Sequence, residues 1–147
     1  MRQERAGDGG RMRAAWVCAV VLASLLLGGC STGGPDAALR AVRDSRSATV
    51  GAALAGRLLR EGLSTSQVTQ VVLDDAVDSV AGAGTELASA ADVNPSRVMT
   101  ARIALTDALA VLDRLSDHGA GRFTAPDLDA LDAAVAELDR AERELSR

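Results

Sequence analysis

Aromatic side chains are almost missing from this chain of 147 residues, which contains no tyrosine, one tryptophan and one phenylalanine. Trp16 lies in the N-terminal segment, so Phe123 is the single aromatic residue beyond position 30. Ligand pockets commonly have aromatic walls, and interface hot spots are enriched in tryptophan, tyrosine and arginine. The composition therefore argues against a site that stacks sugars, flavins or nucleobases. It predicts instead a core of alanine, leucine and valine.

Lysine is absent as well, and all 16 basic residues are arginines, a bias typical of a GC-rich bacterial genome. Without residues 1–29 the chain keeps 12 arginines and 18 acidic residues, which gives a net charge of −6. A protein that binds nucleic acid needs a basic face for its phosphate contacts. We therefore expect no nucleic-acid partner.

Residues that carry catalysis or bind metals are also scarce, with one histidine and two cysteines in the chain. His118 lacks the partners of a metal or catalytic site, so we interpret it as a residue near a helix C-terminus that interacts with the helix dipole. Asp74, Asp75 and Asp78 are expected to form a solvated face, with weak divalent-cation binding as the alternative. The stretch 127–132, DLDALD, lacks the glycine of a calcium loop and is typical of a first helical turn. The sequence thus predicts neither an enzyme nor a cofactor.

The N-terminal 29 residues have the organisation of a secretory signal. Four arginines precede the apolar run Ala14–Leu27. This run of 14 residues matches a signal-peptide hydrophobic region and falls short of the roughly 20 residues that span a bilayer. Met12 begins a complete short signal of its own, so the sequence leaves open whether translation starts at Met1 or at Met12.

Two glycines and a cysteine follow the apolar run, and Leu27-Gly28-Gly29-Cys30 resembles the lipobox of bacterial lipoproteins. The resemblance covers the signal region alone. It implies transfer of a diacylglyceryl group to the sulfur of Cys30, cleavage between Gly29 and Cys30, and optional acylation of the new amino group, for example with palmitate. Acyl chains stabilise membrane binding by roughly 0.8 kcal/mol per buried CH₂, so two or three chains are a stable anchor. An uncleaved transmembrane anchor and an ordinary secreted protein cut nearby are the alternatives.

Cysteine usage agrees with the lipoprotein interpretation, because cleavage discards Cys18 and lipidation consumes the thiol of Cys30. The stretch after Cys30, STGGPD, is typical of a short flexible tether. We therefore expect a signal peptide at 1–29, the lipidated cysteine and tether at 30–35, and a helical domain at 36–147. The lipid anchor predicts a location at the extracytoplasmic face of the cell membrane.

From position 36 onward the apolar residues follow a helical period, and breakers divide them into four helices. The boundary signals, in chain order, are Pro35, Gly62, the capping box Ser64-Thr65-Ser66-Gln67, Asn94, Pro95, Gly119, Gly121 and the cap formed by Thr124 and Asp127. The expected core residues, helix by helix, are Leu39, Val42, Val50, Ala53, Leu54 and Leu58; Val68, Val72, Ala76, Val80, Ala83, Leu87 and Ala90; Val98, Ala101, Leu105, Ala108, Leu112 and Leu115; and Leu128, Leu131, Val135, Leu138 and Leu145. Gly82 and Gly84 leave open whether helix 2 is continuous, and Glu142 interrupts the seam of helix 4.

Four helices of similar length with short loops predict an all-α fold, an up-down-up-down antiparallel four-helix bundle. The tethered N-terminus then places the loop 91–94 at the membrane end, and the turn at Gly62 and the loop 117–124 at the distal end. Phe123 is expected to cap the distal end as a hydrophobic residue. The alternative is a docking point for a partner, formed by Phe123 with His118 and Arg122.

These observations favour a non-enzymatic surface lipoprotein, in which the bundle is an interaction or structural module of the cell envelope with an unidentified protein partner. The alternative is a sensor or carrier that holds a small apolar ligand between its helices. Its ligand would occupy a gap left in the core by small residues, namely Ala53, Ala76, Ala101 and Ala108.

Overall fold

A computed structural model of the chain describes residues 34–90, 93–119, 121 and 123–147. Most of these residues form four helices, which are α1 (Pro35–Arg60), α2 (Ser66–Ala88), α3 (Pro95–His118) and α4 (Ala125–Leu145). In this part of the chain no strand occurs, so the predicted all-α class with four helices is confirmed. None of the described helices is both long and apolar enough to cross a membrane.

The connections between helices are too short for consecutive helices to run parallel. Only 5, 6 and 6 residues separate α1 from α2, α2 from α3 and α3 from α4. Six residues span at most about 20 Å, whereas a helix with the 24 residues of α3 is about 36 Å long. Consecutive helices therefore run antiparallel, and α4 packs back against α1 to close the ring. The α1–α2 and α3–α4 connections lie at one end of this bundle.

All three prolines of the chain lie in the first turn of a helix. Pro35 and Pro95 are the first residues of α1 and α3, and Pro126 is the second residue of α4. A proline there has no hydrogen bond to lose, and its fixed φ matches the helix. The predicted starts of helices 1, 3 and 4 are confirmed within one residue.

Helix α1 ends just before a glycine, as predicted, with Glu61 as its C-cap and Gly62 as the next residue. Gly62 has a φ of 72°, a left-handed conformation that glycine adopts without steric penalty. The N–H of Leu63 donates to the carbonyl of Leu58 at 2.8 Å, and that of Gly62 to the carbonyl of Leu59 at 3.0 Å. This pair of bonds is a Schellman motif, which satisfies carbonyls that the helix end would leave open.

Helix α2 begins one residue later than the capping box predicted. Thr65 is the N-cap, and its hydroxyl oxygen accepts the N–H of Val68 at 3.3 Å. The prediction of a box closed by Ser64 and Gln67 was wrong, because valine and not glutamine occupies the third position after the actual cap. The helix then continues through Gly82 and Gly84 without a break.

The core face of α1 consists of small residues rather than of the large aliphatic residues that were expected. Val50 and Leu54 are 43% and 52% exposed, and Leu39 and Leu58 are half-buried. The prediction of these four residues as core was wrong. Small side chains allow helices to pack at shorter interaxial distances. The buried residues of α1 are Ala37, Ala38, Ala41, Val42, Ser45, Thr49, Ala52, Ala53, Ala55 and Gly56.

Two hydroxyl groups are fully buried on this face of α1 because the helix itself satisfies them. The hydroxyl of Ser45 donates to the carbonyl of Ala41 at 2.9 Å, and that of Thr49 to the carbonyl of Ser45 at 2.8 Å. Hydrogen bonding to the preceding turn removes most of the penalty of burying a hydroxyl. Serine and threonine therefore belong to the core of α1.

The first half of α2 is rotated by one residue from the prediction. Thr69 and Leu73 are fully buried, whereas Val68 is 56% exposed and Val72 is half-buried. The hydroxyl of Thr69 donates to the carbonyl of Ala55 at 3.4 Å, so this polar residue is satisfied by α1. Farther along α2 the predicted core is confirmed, with buried side chains at Ala76, Val80, Ala83 and Leu87, and at Ala90 just after the helix.

Helices α3 and α4 follow the predicted seams closely. In α3 the predicted residues are buried except Val98, which packs half-buried against the core. In α4 the predicted core residues Val135 and Leu145 are only half-buried. Smaller residues of the same helix are buried instead. The buried residues of the two helices are Ala101, Ala104, Leu105, Ala108, Leu112 and Leu115, and Leu128, Leu131, Ala134, Leu138 and Ala141.

Candidate functional site

The predicted lipidation and cleavage residues, Leu27-Gly28-Gly29-Cys30, lie outside the described residues, and so do Met1, Met12 and Arg122. Of the predicted distal contacts, His118 and Phe123 are described. Both lie at the end of the bundle that also carries the α1–α2 connection.

Phe123 packs half-buried against the core cluster. Its ring lies directly over Gly56 of α1, where an added Cβ atom would come 2.5 Å from Cε1 of the ring. Any side chain at position 56 would therefore displace the phenylalanine. This is the position expected of a hydrophobic cap on the bundle end.

His118 is the last residue of α3, and its Nδ1 lies within hydrogen-bonding distance of the carbonyl oxygen of Arg114. A carbonyl only accepts, so Nδ1 carries the proton and donates it to this bond. The contact matches the predicted interaction with the C-terminal end of a helix. His118 and Phe123 share an open cleft of about 460 Å³ with Arg114, Leu115, Gly119, Thr124, Pro126, Asp127 and Ala130.

Asp127 uses its carboxylate to hold the start of α4. Its Oδ2 accepts the backbone N–H of Thr124 at 2.8 Å and the hydroxyl of Thr124 at 2.6 Å. The hydrogen bond from the threonine hydroxyl is the main reason that the pKa of Asp127 is lowered, and nearby Arg114 and His118 add to the effect. The predicted pairing of Thr124 with Asp127 is confirmed, and Asp127 also lines the 460 Å³ cleft.

The predicted acidic patch divides between two different environments. Oδ1 of Asp74 accepts the hydroxyl of Ser116 at 2.6 Å and Nε2 of Gln70 at 2.8 Å, which connects α2 to α3. Asp75 and Asp78 are exposed and match the predicted solvated face. No group of three His, Cys, Asp or Glu residues suited to a metal ion occurs in the described part of the chain.

Glu142, which interrupts the seam of α4, connects α4 to α1. Its side chain is only 15% exposed, and its carboxylate lies 2.9 Å from Nε of Arg43 and 3.0 Å from Nε of Arg46. A second, more exposed ion pair joins Arg57 to Asp132 at 2.6 Å. Three carboxylates of α4, those of Asp132, Asp139 and Glu142, thus pair with arginines of α1.

One surface was missed by the sequence patterns. The side chains of Val68 and Val71 are 56% and 68% exposed, and Leu63 just before the helix is 71% exposed. Val68 was predicted as core, so its surface position became visible only in the structure. We call the row on α2 that begins with these valines the α2 outer face, and it comprises Val68, Val71, Asp75, Asp78, Gly82 and Glu86.

The four alanines expected to leave a ligand gap belong to the packed core. Ala53, Ala76, Ala101 and Ala108 are all at most 2% exposed and are part of one cluster of buried side chains. The three clefts described for the bundle are open at the surface, and none of the four alanines lines any of them.

The described residues define an all-α protein with four antiparallel helices. No protein-family model matches this chain, and neither a curated protein nor a solved structure is detectably similar to it.

Proposed function

We propose that this protein is a membrane-anchored extracytoplasmic lipoprotein whose helical domain is a non-enzymatic interaction module of the cell envelope. The observation that carries the proposal is the position of Leu27-Gly28-Gly29-Cys30 at the C-terminal end of the apolar run Ala14–Leu27. Small residues before the cysteine allow an extended backbone to enter a processing enzyme. The cysteine thiolate is the nucleophile that accepts the lipid.

The exposed apolar residues of the helical domain support the interaction role. Val68, Val71 and Leu63 are each more than half exposed, and carboxylates follow them along α2. An apolar surface bordered by polar groups is typical of a protein–protein contact. We therefore assign the domain to binding a protein partner.

The anchor also determines which end of the bundle is available. The short stretch between Cys30 and Pro35, the first residue of α1, keeps the start of this helix close to the bilayer. In helices of this length, the opposite end of the bundle lies about 36 Å from the tethered end. Leu63 and the start of α2 lie at that outer end, where a partner reaches them without contacting the lipid.

Metabolic labelling with an alkyne fatty acid in a bacterial host tests the anchor. The wild-type chain should be labelled and recovered in the membrane fraction, whereas Cys30→Ala should lose the label. Cys18→Ala is the matched control, because it removes the other cysteine of the chain and should keep full labelling. Equal labelling of Cys30→Ala and the wild type would contradict the proposed lipidation. A catalytic activity abolished by a point substitution in the helical domain would contradict the non-enzymatic role.

A further inference from the structure

The α2 outer face has an apolar end and an acidic end. Its residues recur at spacings of 3 or 4 positions, so they form one row along the helix. The row begins with Val68 and Val71 near the distal end and continues with Asp75, Asp78 and Glu86. All of its members are exposed. The core residues of α2 lie on the opposite side of the same helix.

In the part of the chain that the structure describes, no arginine pairs with the acidic end of this face. Helix α2 contains four acidic residues and no arginine. Asp74 is held by Ser116, but the side chains of Asp75, Asp78 and Glu86 form no ion pair or hydrogen bond within the described residues. Helix α4 is different, because Asp132, Asp139 and Glu142 each pair with an arginine of α1.

Gly82 lies between Asp78 and Glu86 in the acidic end of the α2 outer face. A Cβ atom added there would meet nothing within 4 Å, so no intramolecular packing requires glycine. Glycine inside a helix nevertheless lowers stability relative to alanine. Beside Gly82 lies a groove of about 280 Å³ between α1 and α2, and the acidic residues Asp44, Asp78 and Glu86 line it. The bare backbone and the groove leave room for a side chain from outside.

We infer that the α2 outer face docks an amphipathic helix of another protein, with apolar residues on Val68 and Val71 and a cationic side chain in the groove at Gly82. This inference rests on the interaction role proposed above and needs no lipid. Charge complementarity selects the partner, because unpaired carboxylates attract arginine or lysine and repel acidic segments. The glycine permits close approach of the partner backbone.

The spacing along α2 specifies the partner further. Val71 and Gly82 are 11 positions apart, which corresponds to about 16 Å along a helix. A partner helix that lies along this face must therefore carry its apolar and cationic residues about three turns apart.

A synthetic alanine-rich helical peptide tests the inference on the full chain purified in detergent. The probe is about 20 residues long, enough for a stable helix, with two leucines and two arginines about 11 residues apart. One control peptide has glutamate in place of arginine, and another has the same composition with leucine and arginine interleaved. The probe should bind, added salt should weaken binding, and both controls should bind at least about tenfold less tightly.

Variants of the chain test whether the probe binds at the α2 outer face. Val71→Asp and Gly82→Leu should each raise the Kd of the probe by about tenfold or more. Gly84→Ala is the matched control, because Gly84 also has open space around it but lies off the outer face, and its Kd should equal that of the wild type. Val71 is 68% exposed, so Val71→Asp should keep the wild-type helical circular-dichroism spectrum even if Gly82→Leu unfolds.

Three results would overturn the inference. The first is equal binding of the probe and the glutamate peptide, and the second is unchanged binding of the probe to Val71→Asp. The third is self-association of the wild-type chain that Val71→Asp abolishes, because a second copy of the chain would then occupy the face. Peptide binding and fatty-acid labelling are independent measurements. Loss of binding with intact labelling of Cys30 would refute the docking face alone, and the converse would refute the anchor alone.

Discussion

The ring of Phe123 occupies the space in which a side chain at position 56 would lie, only 2.5 Å from a Cβ atom built on Gly56. Glycine at position 56 therefore has a steric reason, since the α3–α4 connection closes over α1 at this point. The relationship couples two residues that are far apart in the sequence, and it closes the end of the bundle that carries the α1–α2 and α3–α4 connections.

Gly56→Ala should destabilise the protein by about 1–3 kcal/mol, because the new methyl group displaces the ring. The same substitution in a Phe123→Ala background should stabilise it by about 0.5–1 kcal/mol, since only the better helix propensity of alanine remains. Urea denaturation of the four chains of this double-mutant cycle measures both effects. An equal effect of Gly56→Ala in the two backgrounds would show that Phe123 does not pack on Gly56.

Gly82 and Gly84 have open space around them, so Gly82→Ala and Gly84→Ala should each raise the free energy of unfolding by about 0.5–1 kcal/mol. Gly62→Ala is the contrasting variant. It should lower stability by about 1–2 kcal/mol, because a φ of 72° is unfavourable for a residue with a Cβ atom. Thermal unfolding followed by circular dichroism separates the two classes. A loss of stability in the first two variants would mean that α2 is packed closely there.

Because the core face of α1 consists of small residues, the expected effects of substitutions in α1 are opposite to those that the hydrophobic pattern of the sequence predicts. Ala52→Leu should destabilise by about 1–3 kcal/mol, because Ala52 is fully buried and a larger side chain overpacks the core. Leu54→Ala should change stability by only about 0.5 kcal/mol, since the leucine is 52% exposed. Chemical denaturation of both variants decides the matter. A larger loss of stability from Leu54→Ala than from Ala52→Leu would show that Leu54 is part of the core.

Asp127 links stability to pH through its lowered pKa. A carboxyl group whose pKa is lower in the folded state stabilises the protein above its unfolded pKa of about 3.9. That contribution is lost as the pH falls through the lower pKa of the folded state. Thr124→Ala removes the donor hydroxyl, so the variant should lose less stability than the wild type on acidification below about pH 4. Parallel acid titrations followed by circular dichroism measure the difference, and identical curves would contradict the role of the cap.

The sequence patterns predicted the helix ends and the cores of α3 and α4 well. Proline and glycine act locally, because a missing N–H or a left-handed φ affects only the nearest turn. The core residues Leu105, Leu112 and Leu131 were recognised because large aliphatic side chains and alanines alternate there at a regular helical spacing.

The core of α1 and the start of α2 were not predictable in the same way. Ser45 and Thr49 are buried because carbonyls of the preceding turn accept their hydroxyl hydrogens, and Thr69 because α1 provides an acceptor. A hydropathy pattern counts all three as polar, which moved the predicted stripe towards Val50 and Val68.

The candidate sites were predicted only in part, because they too depend on which side chains the tertiary structure buries or pairs. His118 and Phe123 share a cleft at one end of the bundle, as the predicted chain topology indicated. The α2 outer face depends on which side of α2 is buried, and that was misjudged by one residue in the first half of the helix. Asp75, Asp78 and Glu86 form no ion pair with the described residues. This depends on where the arginines of the other helices lie, which is a property of the tertiary structure.

The most direct test of the account is the mass of the N-terminal peptide of the protein purified from bacterial membranes. The lipoprotein proposal predicts that residues 1–29 are absent and that the first residue, Cys30, carries a diacylglyceryl group on its sulfur. A mature chain that begins at Cys30 without lipid, or a chain that retains residues 1–29, would contradict it.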